Sequence, residues 1–382
     1  MTPHSSGSWR VLHVIATLDV GGGSEHLIHL VRGLGARGHS STVVFGRPGP
    51  ALERLREAGA GVHAVGTLRF AGPLQLARAF RFLPHDLVHL HGTRSGFFGA
   101  LALRGRPDPI VYTGHAFSFN RRLPGLLRAV AVRAERFIVT TARRTVCLTE
   151  GDLATARRLG IPTQHFVVVP NGIPIERFEH AADRRAEFGL PAGTPCVGLL
   201  ARLVEQKDPL AFVAMAARLA ARRPDVRFIV AGDGPLRAAA EQAARAAGLG
   251  AAITFCGFRT DAAELLKTFD VAVFPSLWEG LPLAVLEAMA AGAAVVASDL
   301  PGHREILEDG VHGRITPPGD PAALAAAVEE LLQDPARRAR LVAAARERVR
   351  ERFTVERMVE RTVAVYRDAI ARADAPGLRA TT

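Results

Sequence analysis

The sequence predicts an α/β protein of two domains, each a parallel sheet flanked by helices, and three observations carry that prediction. The chain has 382 residues, beyond the size at which a single hydrophobic core stops growing. Short apolar runs alternate with segments of three-to-four periodicity, the pattern of strand–helix–strand units whose crossovers enforce parallel pairing. The series then restarts: six strand-like runs precede a stretch rich in proline, glycine and charge, and six more follow it.

In the first series "RVLHVIATL", "STVVFG", "DLVHLHG", "PIVYTGH", "TVCLTE" and "HFVVVPNG" read as buried strands, with helical segments such as "SEHLIHLVRGLGARG" between them. The break falls in "PNGIPIERFEHAADRRAEFGLPAG". The second series is "PCVGLLARL", "VRFIVAGDG", "AAITFCGF", "DVAVFPS", "AAVVASD" and "GRITPP"; "PAALAAAVEELLQDPARRARLVAAARERVRERF" then reads as two helices. The expected division is residues 1–174, 175–353 and a final segment 354–382 whose tail after Asp374 is frayed. Ligands of open parallel sheets bind beyond the carboxyl ends of the strands, so the expectation is a cleft between two facing sheets.

Composition narrows the class. The 48% hydrophobic content fills two cores, yet the longest apolar stretches, such as "AVLEAMAAGAAVVAS", are broken by charge or glycine before the roughly 18 consecutive residues of a membrane span. No transmembrane helix is expected. "MTPHSSGSWR" passes straight into a strand-like "VLHVIATL" without the profile of a secretory signal, so the expected location is the cytoplasm. Cys147, Cys196 and Cys256 sit in separate apolar runs without metal or redox spacing; reduced core residues are expected. Through His180 there are 22 arginines against 11 acidic residues, whereas from Ala181 on 26 basic residues face 26 acidic ones. The whole excess of +11 therefore lies in the first half, and a one-sided basic field suits an anionic partner. Solvated arginine-rich faces are the plainer alternative.

Candidate chemistry gathers at strand ends. In "PSLWEGLPLAVLEAMAAG", Pro282 suits the first position of a helix and Gly292 the position past its end. The N–H groups of Leu283 and Ala284 are then free at the positive end of the dipole, beyond the strand "VAVFP". Glu279 and Glu287 can border one pocket there, accepting hydrogen bonds from sugar hydroxyls, or Glu279 can simply cap the helix while Glu287 stays solvated. "LLARLVEQKDP" carries Arg202 and Lys207 after the first strand of the second series. Lys207 and Lys267 are the only two lysines beside 46 arginines; a compact cation and a guanidinium near a helix start could hold a diphosphate. "DVGGGSEHLIHL" is a glycine-rich turn into a helix, but His26 stands where a dinucleotide fingerprint requires its third glycine. "AGDGP" is a strand-to-helix turn. His115 ends the strand "IVYTGH", where it could meet a substrate hydroxyl or developing negative charge. His89 and His91 share a strand face, with no third metal ligand evident.

Taken in order, "GGGSEH", "YTGHAF", "VPNGIPIERF", "LLARLVEQKD", "VAGDGP", "FCGF", "PSLWEGLPLAVLEAMA" and "GHREIL" resemble the retaining glycosyltransferases of family 4, which have the GT-B architecture, from about Val11 to about Tyr366. The resemblance implies a UDP- or GDP-sugar donor on the second domain. On the first it implies an acceptor, a glycan or lipid-diphosphate-linked precursor of cell-surface polysaccharide. By the same resemblance Glu279 contacts sugar hydroxyls, Glu287 holds the ribose, and Arg202 and Lys207 hold the diphosphate. Backbone around Gly257 and Phe258 meets the base, and Gly280, Leu281, Leu283 and Ala284 border the donor at the helix start. Gly22 and Gly23 approach the phosphates or acceptor, His115 lies near the transferred sugar, and the helices from about Thr354 cross back to the first domain.

Two departures concern local backbone: Ala116 follows the histidine and Ala201 precedes the arginine where the family commonly has glycine. No D-x-D occurs in the chain, which suits neutralisation of a diphosphate by Arg202, Lys207 and the helix start, with no metal and no cofactor expected; the nucleotide sugar is a substrate. Arginines interleaved with leucine and valine in "RRLPGLLRAVAVRAERF", Arg121 to Phe137, suit contact with an anionic membrane surface. The competing readings are a sugar-nucleotide epimerase or hydrolase of the same architecture and a nucleic-acid-binding protein. Scarce aromatics and the lack of a stacking motif disfavour nucleic acid.

Overall fold

The structure is a computed structural model that describes residues 7–19, 21–66, 68, 72–120 and 124–374. Arg121–Leu123 of the basic stretch and the expected frayed tail lie outside the described residues. The chain forms two compact units: one takes the residues up to Gly172 together with those from Val355 on, the other is Ile173–Thr354.

The first unit contains β1 (Arg10–Thr17), α1 (Gly22–Gly35), β2 (Ser40–Arg47), α2 (Ala51–Glu57), β3 (Gly61–Ala64), α3 (Gly72–Phe82), β4 (Leu87–His91), α4 (Gly92–Ala102), β5 (Ile110–Gly114), α5 (Gly125–Thr141), β6 (Arg144–Cys147), α6 (Glu150–Arg158) and β7 (Phe166–Val168). The second contains α7 (Ile175–Glu179), β8 (Cys196–Leu200), α8 (Pro209–Ala220), β9 (Arg227–Ala231), α9 (Arg237–Ala246), β10 (Ile253–Gly257), α10 (Ala262–Thr268), β11 (Val271–Phe274), α11 (Leu283–Ala291), β12 (Ala294–Ser298), α12 (Pro301–Ile306), β13 (Arg314–Thr316), α13 (Pro321–Gln333) and α14 (Pro335–Arg352). The last helix, α15 (Val355–Asp374), belongs to the first unit.

Both sheets are parallel throughout, with strand orders β3-β2-β1-β4-β5-β6-β7 and β10-β9-β8-β11-β12-β13. Each order reverses direction once, between β1 and β4 and between β8 and β11. At such a switch point the loops leaving two adjacent strands diverge to opposite faces and open a crevice at the carboxyl edge. Twelve strands match the apolar runs. The exception is β3, a four-residue edge strand whose side chains are mostly exposed and which therefore leaves no apolar signature.

Alternation along the strands sets the packing. In the first unit Leu12, Val14, Val88, Leu90 and Tyr112 face one core with Leu76, Phe80 and Ile138. Val11, Leu87 and Val111 face another with Leu30 and Leu34 of α1 and Val359 and Tyr366 of α15. Gly33 permits the contact between those helices: a Cβ there would lie 2.4 Å from Val359 Cγ2. In the second unit Val197, Phe228, Val230, Val271, Val273 and Val296 pack with Phe212, Leu219, Leu324 and Leu331. Each such buried side chain contributes about 1.5–3 kcal/mol.

Candidate functional site

In the second unit the loops leaving β8 and β11 meet at the switch point. After β8 the chain makes a single 3₁₀ turn, Glu205–Lys207, then enters α8 through Asp208, whose Oδ1 accepts the Ala211 N–H at 3.2 Å. Asp208 has φ 45°, alone among the described non-glycine residues in taking a positive value. Aspartate tolerates this region at modest cost, and Pro209 fixes the first helical φ. Lys207 is thus held at the edge of the sheet.

Across the switch point Glu279 is nearly buried and carries three donors. Lys207 Nζ forms an ion pair with Oε1, Ser276 Oγ–H donates to Oε1 at 2.7 Å, and Gln206 Nε2 donates to Oε2 at 3.1 Å. Gln206 also donates to Trp278 O at 3.0 Å and accepts the Leu277 N–H at 2.8 Å, so the two loops are tied through backbone as well. A carboxylate with three donors is fixed in place.

The helix start lies four residues further on. Pro282 is the N-cap of α11, with extended ψ 117°, and not its first helical residue; Gly292 terminates it in the left-handed region. No side chain caps α11, so Glu279 is not a cap, and the first-turn N–H groups remain directed out of the helix end. Gly302 on α12 brings a second loop against this one: a Cβ there would sit 1.7 Å from Gly280 O. The next residue, His303, is fully buried and donates Nδ1–H to Ser298 O at 2.6 Å. Burial pushes its pKa below the ordinary value against the pull of the Glu279 carboxylate.

In the first unit the switch point is lined by histidines. His13 on β1 stands in register with His89 on β4, and His91 with Thr113 on β5. His13 Nδ1 and His91 Nε2 are 3.1 Å apart, and His91 Nδ1 and His115 Nε2 3.2 Å. His89 bonds Tyr366 OH at 2.6 Å and Thr113 Oγ1 at 2.7 Å. His26 on α1 donates Nδ1–H to Asn171 Oδ1 at 2.9 Å and lies edge-on to His115, with centroids 4.7 Å apart. Burial holds His13 at a pKa of about 3 and His26 at about 4, and pushes His89, His91 and His115 well below the ordinary range. The cluster is therefore neutral at pH 7. The uncapped start of α1 adjoins it: a Cβ on Gly23 would be 3.6 Å from His115 Cδ2.

The third imidazole that the sequence did not reveal is His13. His13, His89 and His91, and also His26, His91 and His115, place three ring nitrogens within 4.8 Å of one another. His91 belongs to both sets, and both of its nitrogens already face other imidazoles; neither set is assigned to a metal.

Comparison with known proteins decides the family. Residues 20–177 match the description Glycosyltransferase Family 4, and residues 181–348 match Glycosyl transferases group 1. The chain is 31% identical to the 2-deoxystreptamine N-acetyl-D-glucosaminyltransferase of Streptomyces fradiae, over 94% of this chain and 93% of that protein. The chain belongs to the group 1, family 4 glycosyltransferases. It is also 30% identical to the UDP-Gal:alpha-D-GlcNAc-diphosphoundecaprenol alpha-1,3-galactosyltransferase of Escherichia coli, over 60% of this chain and 62% of the relative. The crystal structure of HepE from Anabaena in complex with UDP and glucose superposes with a TM-score of 0.84 at 21% identity, covering 94% of this chain and 99% of that one. The fold is the GT-B pair of Rossmann-like domains.

Within this glycosyltransferase the predicted residues fall into groups. Lys207 and Glu279 are brought into direct contact, and Gly280, Leu281, Leu283 and Ala284 continue from Glu279 into α11. Glu287 lies half-buried further along α11. Arg202 is exposed and pairs with neither glutamate. Gly257 ends β10, accepting the Gly232 N–H at 2.7 Å, and Phe258 beside it is exposed. Gly23 lies against His115 in the first unit, and Gly22 is the first residue of α1 beside it. Ser276, Gln206, Gly302 and His303 were missed. A serine three residues before Glu279 and a glutamine beside Lys207 were visible signals, but only the fold shows that they converge.

Proposed function

We propose that this glycosyltransferase moves a sugar from a UDP- or GDP-sugar, with retention of anomeric configuration and without a metal, to a lipid-diphosphate-linked or polysaccharide acceptor in cell-surface glycan synthesis. The observation that carries the reading is the Lys207–Glu279 pair beside the uncapped start of α11. A diphosphate entering there gains an ammonium and free N–H groups, and Arg202 stands exposed on the same loop as Lys207. As the anomeric C–O bond breaks, the leaving diphosphate gains charge, and fixed donors stabilise that change more than the ground state. Glu279, its geometry fixed by Ser276 and Gln206, accepts from sugar hydroxyls, and Glu287 from the ribose. Gly257 and Phe258 serve the base. His115 and the Gly22–Gly23 turn serve the transferred sugar and acceptor.

The acceptor assignment is supported by the outer face of the first unit. Helices α3, α4 and α5 expose Leu74, Phe82, Leu101, Leu126, Leu127 and Val130 among Arg78, Arg81, Arg94, Arg128, Arg133 and Arg136. Their one acid, Glu135, is fully buried, accepting from Thr93 Oγ1, Tyr112 OH and Ser118 Oγ at 2.7, 2.9 and 2.9 Å. An apolar and purely cationic face suits an anionic lipid surface. Among the described residues no helix is long and apolar enough to cross a membrane, so the proposed attachment is peripheral, on the cytoplasmic side.

The test is transfer from UDP-, GDP- and ADP-sugars to a lipid-diphosphate sugar, with the product's anomeric configuration read by proton NMR. One donor should support acceptor-dependent transfer with retained configuration. Equal donor consumption without acceptor would favour the hydrolase or epimerase reading, and inverted product would remove the retaining assignment. Anionic liposomes at low salt should retain the protein and release it as salt rises.

A further inference from the structure

The chain's two lysines stand at opposite edges of the second sheet. Lys207 follows β8, at the carboxyl edge, whereas Lys267 lies in the last turn of α10, which leads into the start of β11 at the amino edge. Lys267 lines a cavity of about 370 Å³ together with Arg185, Arg338 and Arg346, a volume at the lower end of small-molecule sites. Phe269, Ala291 and Val342 supply apolar wall, and Asp270 is the one carboxylate in the lining. Every lining residue belongs to the second unit.

The carboxylate does not balance the cations. Asp270 Oδ2 accepts from Arg185 Nη2 at 2.7 Å and from the Cys196 N–H at 2.9 Å, and its Oδ1 lies 3.5 Å from Arg338 Nη2. Lys267 Nζ donates to Glu179 O at 3.4 Å, and Arg346 Nη2 to Ala291 O at 3.0 Å. The Glu179 carboxylate itself pairs with Arg350 at 2.8 Å. A carbonyl accepts a hydrogen bond but cancels no charge, so three positive charges stand in excess around the cavity. Like charges gathered in one place repel, and a bound anion relieves that repulsion.

Arg346 is also held in place. A Cβ on Gly292 would lie 2.1 Å from its Nη2, so α11 ends in a glycine against which the guanidinium packs. Its Nε is buried and has no partner among the described residues, unlike the N–H of an arginine on a merely solvated face. A planar fork, a compact ammonium and an apolar wall match a phosphate group on a small organic body. Phe269 is only 3% exposed, so the cavity offers no aromatic face on which a base could stack.

We propose that Lys267, Arg338 and Arg346 form a second anion site, at the amino edge of the second sheet, which binds the phosphate of a small phosphate ester. The site is separate from Lys207 and the start of α11, and it meets that helix at its far end, where Arg346 holds the Ala291 carbonyl. The assignment stands whether or not the chain transfers sugar.

The probes are glycerol phosphate in solution and phosphatidylcholine vesicles carrying phosphatidic acid, which present the same ester free and as a lipid headgroup. Calorimetric titration and vesicle sedimentation compare the full wild-type chain with Lys267→Gln, Arg346→Gln and Lys207→Ala. Glycerol phosphate should bind the wild type and Lys207→Ala alike, and bind Lys267→Gln and Arg346→Gln about tenfold or more weakly. Lys267→Gln gives up only a 3.4 Å bond, so the test survives if Arg346→Gln, which frees the Ala291 carbonyl, fails to fold in thermal unfolding. A loss confined to the vesicle arm would assign the phosphate at this cavity to a lipid headgroup. No binding in either arm, binding unchanged by Lys267→Gln in both, or binding lost in Lys207→Ala instead would overturn the site.

Discussion

Replacing Lys207 with alanine leaves the Glu279 carboxylate, whose side chain is only 6% exposed, with Ser276 and Gln206 as its remaining donors. Removing one partner of such a pair should destabilise the second unit by about 3 kcal/mol. For a unit of this size that lowers the melting temperature by roughly 6–12 °C. Glu279→Ala should cost less, about 1–2 kcal/mol, because Lys207, 18% exposed on a flexible stem, can turn toward water. In the double variant no uncompensated charge remains, so stability should recover to within about 1 kcal/mol of wild type. Turnover should not recover: Lys207→Ala and the double variant should each lose about a hundredfold or more in kcat at saturating donor, since the stabilising donor is gone in both. Thermal unfolding and initial-rate assays on the four proteins close the cycle. Additive stability losses, or a double variant with near-normal kcat, would refute the argument that one pair serves both structure and transfer.

Gly302→Ala should displace the Gly280 carbonyl, which a Cβ would approach to 1.7 Å; a loss of about 3 kcal/mol and weakened donor binding are expected from melting and titration. Glu135→Gln keeps the shape but replaces one acceptor oxygen of a buried group serving Thr93, Tyr112 and Ser118; a loss of about 2 kcal/mol is expected in denaturant unfolding. The histidine cluster predicts acid sensitivity. His13 and His26 have folded pKa values of about 3 and about 4 against 6.5, so below pH 6.5 the unfolded chain binds protons that the folded chain refuses. Stability is complete above pH 6.5 and falls as pH drops toward 4, by about 1.4 kcal/mol per pH unit for each ring. The melting midpoint should decline between pH 7 and pH 5, and a flat profile would contradict the neutral buried cluster.

The fold was legible because parallel strands buried on both faces leave continuous apolar runs, as in "RFIVA" and "AVVAS". Only β3, short and exposed at an edge, left no such mark. The ends of α11 were legible to within one residue, since Pro282 and Gly292 have distinct backbone demands. Partnerships were less accessible. Lys207 and Glu279 are 72 positions apart, and nothing local says that the loops after β8 and β11 adjoin; strand order does. The same holds for His13, one polar residue in a strand-like run, whose meaning depends on β1 lying beside β4. Arg202, which the resemblance sets beside Lys207 on the diphosphate, is exposed, and among the described residues it makes no ion pair with Glu279.

The most direct test of the donor site is calorimetric titration of UDP, GDP and ADP into the wild-type chain and the Lys207→Ala variant. One diphosphate should bind the wild type and lose about a hundredfold in affinity in the variant, equivalent to about 2.7 kcal/mol. Equal affinity in the two proteins, or no binding of any diphosphate, would contradict a donor pyrophosphate held at Lys207 and the start of α11.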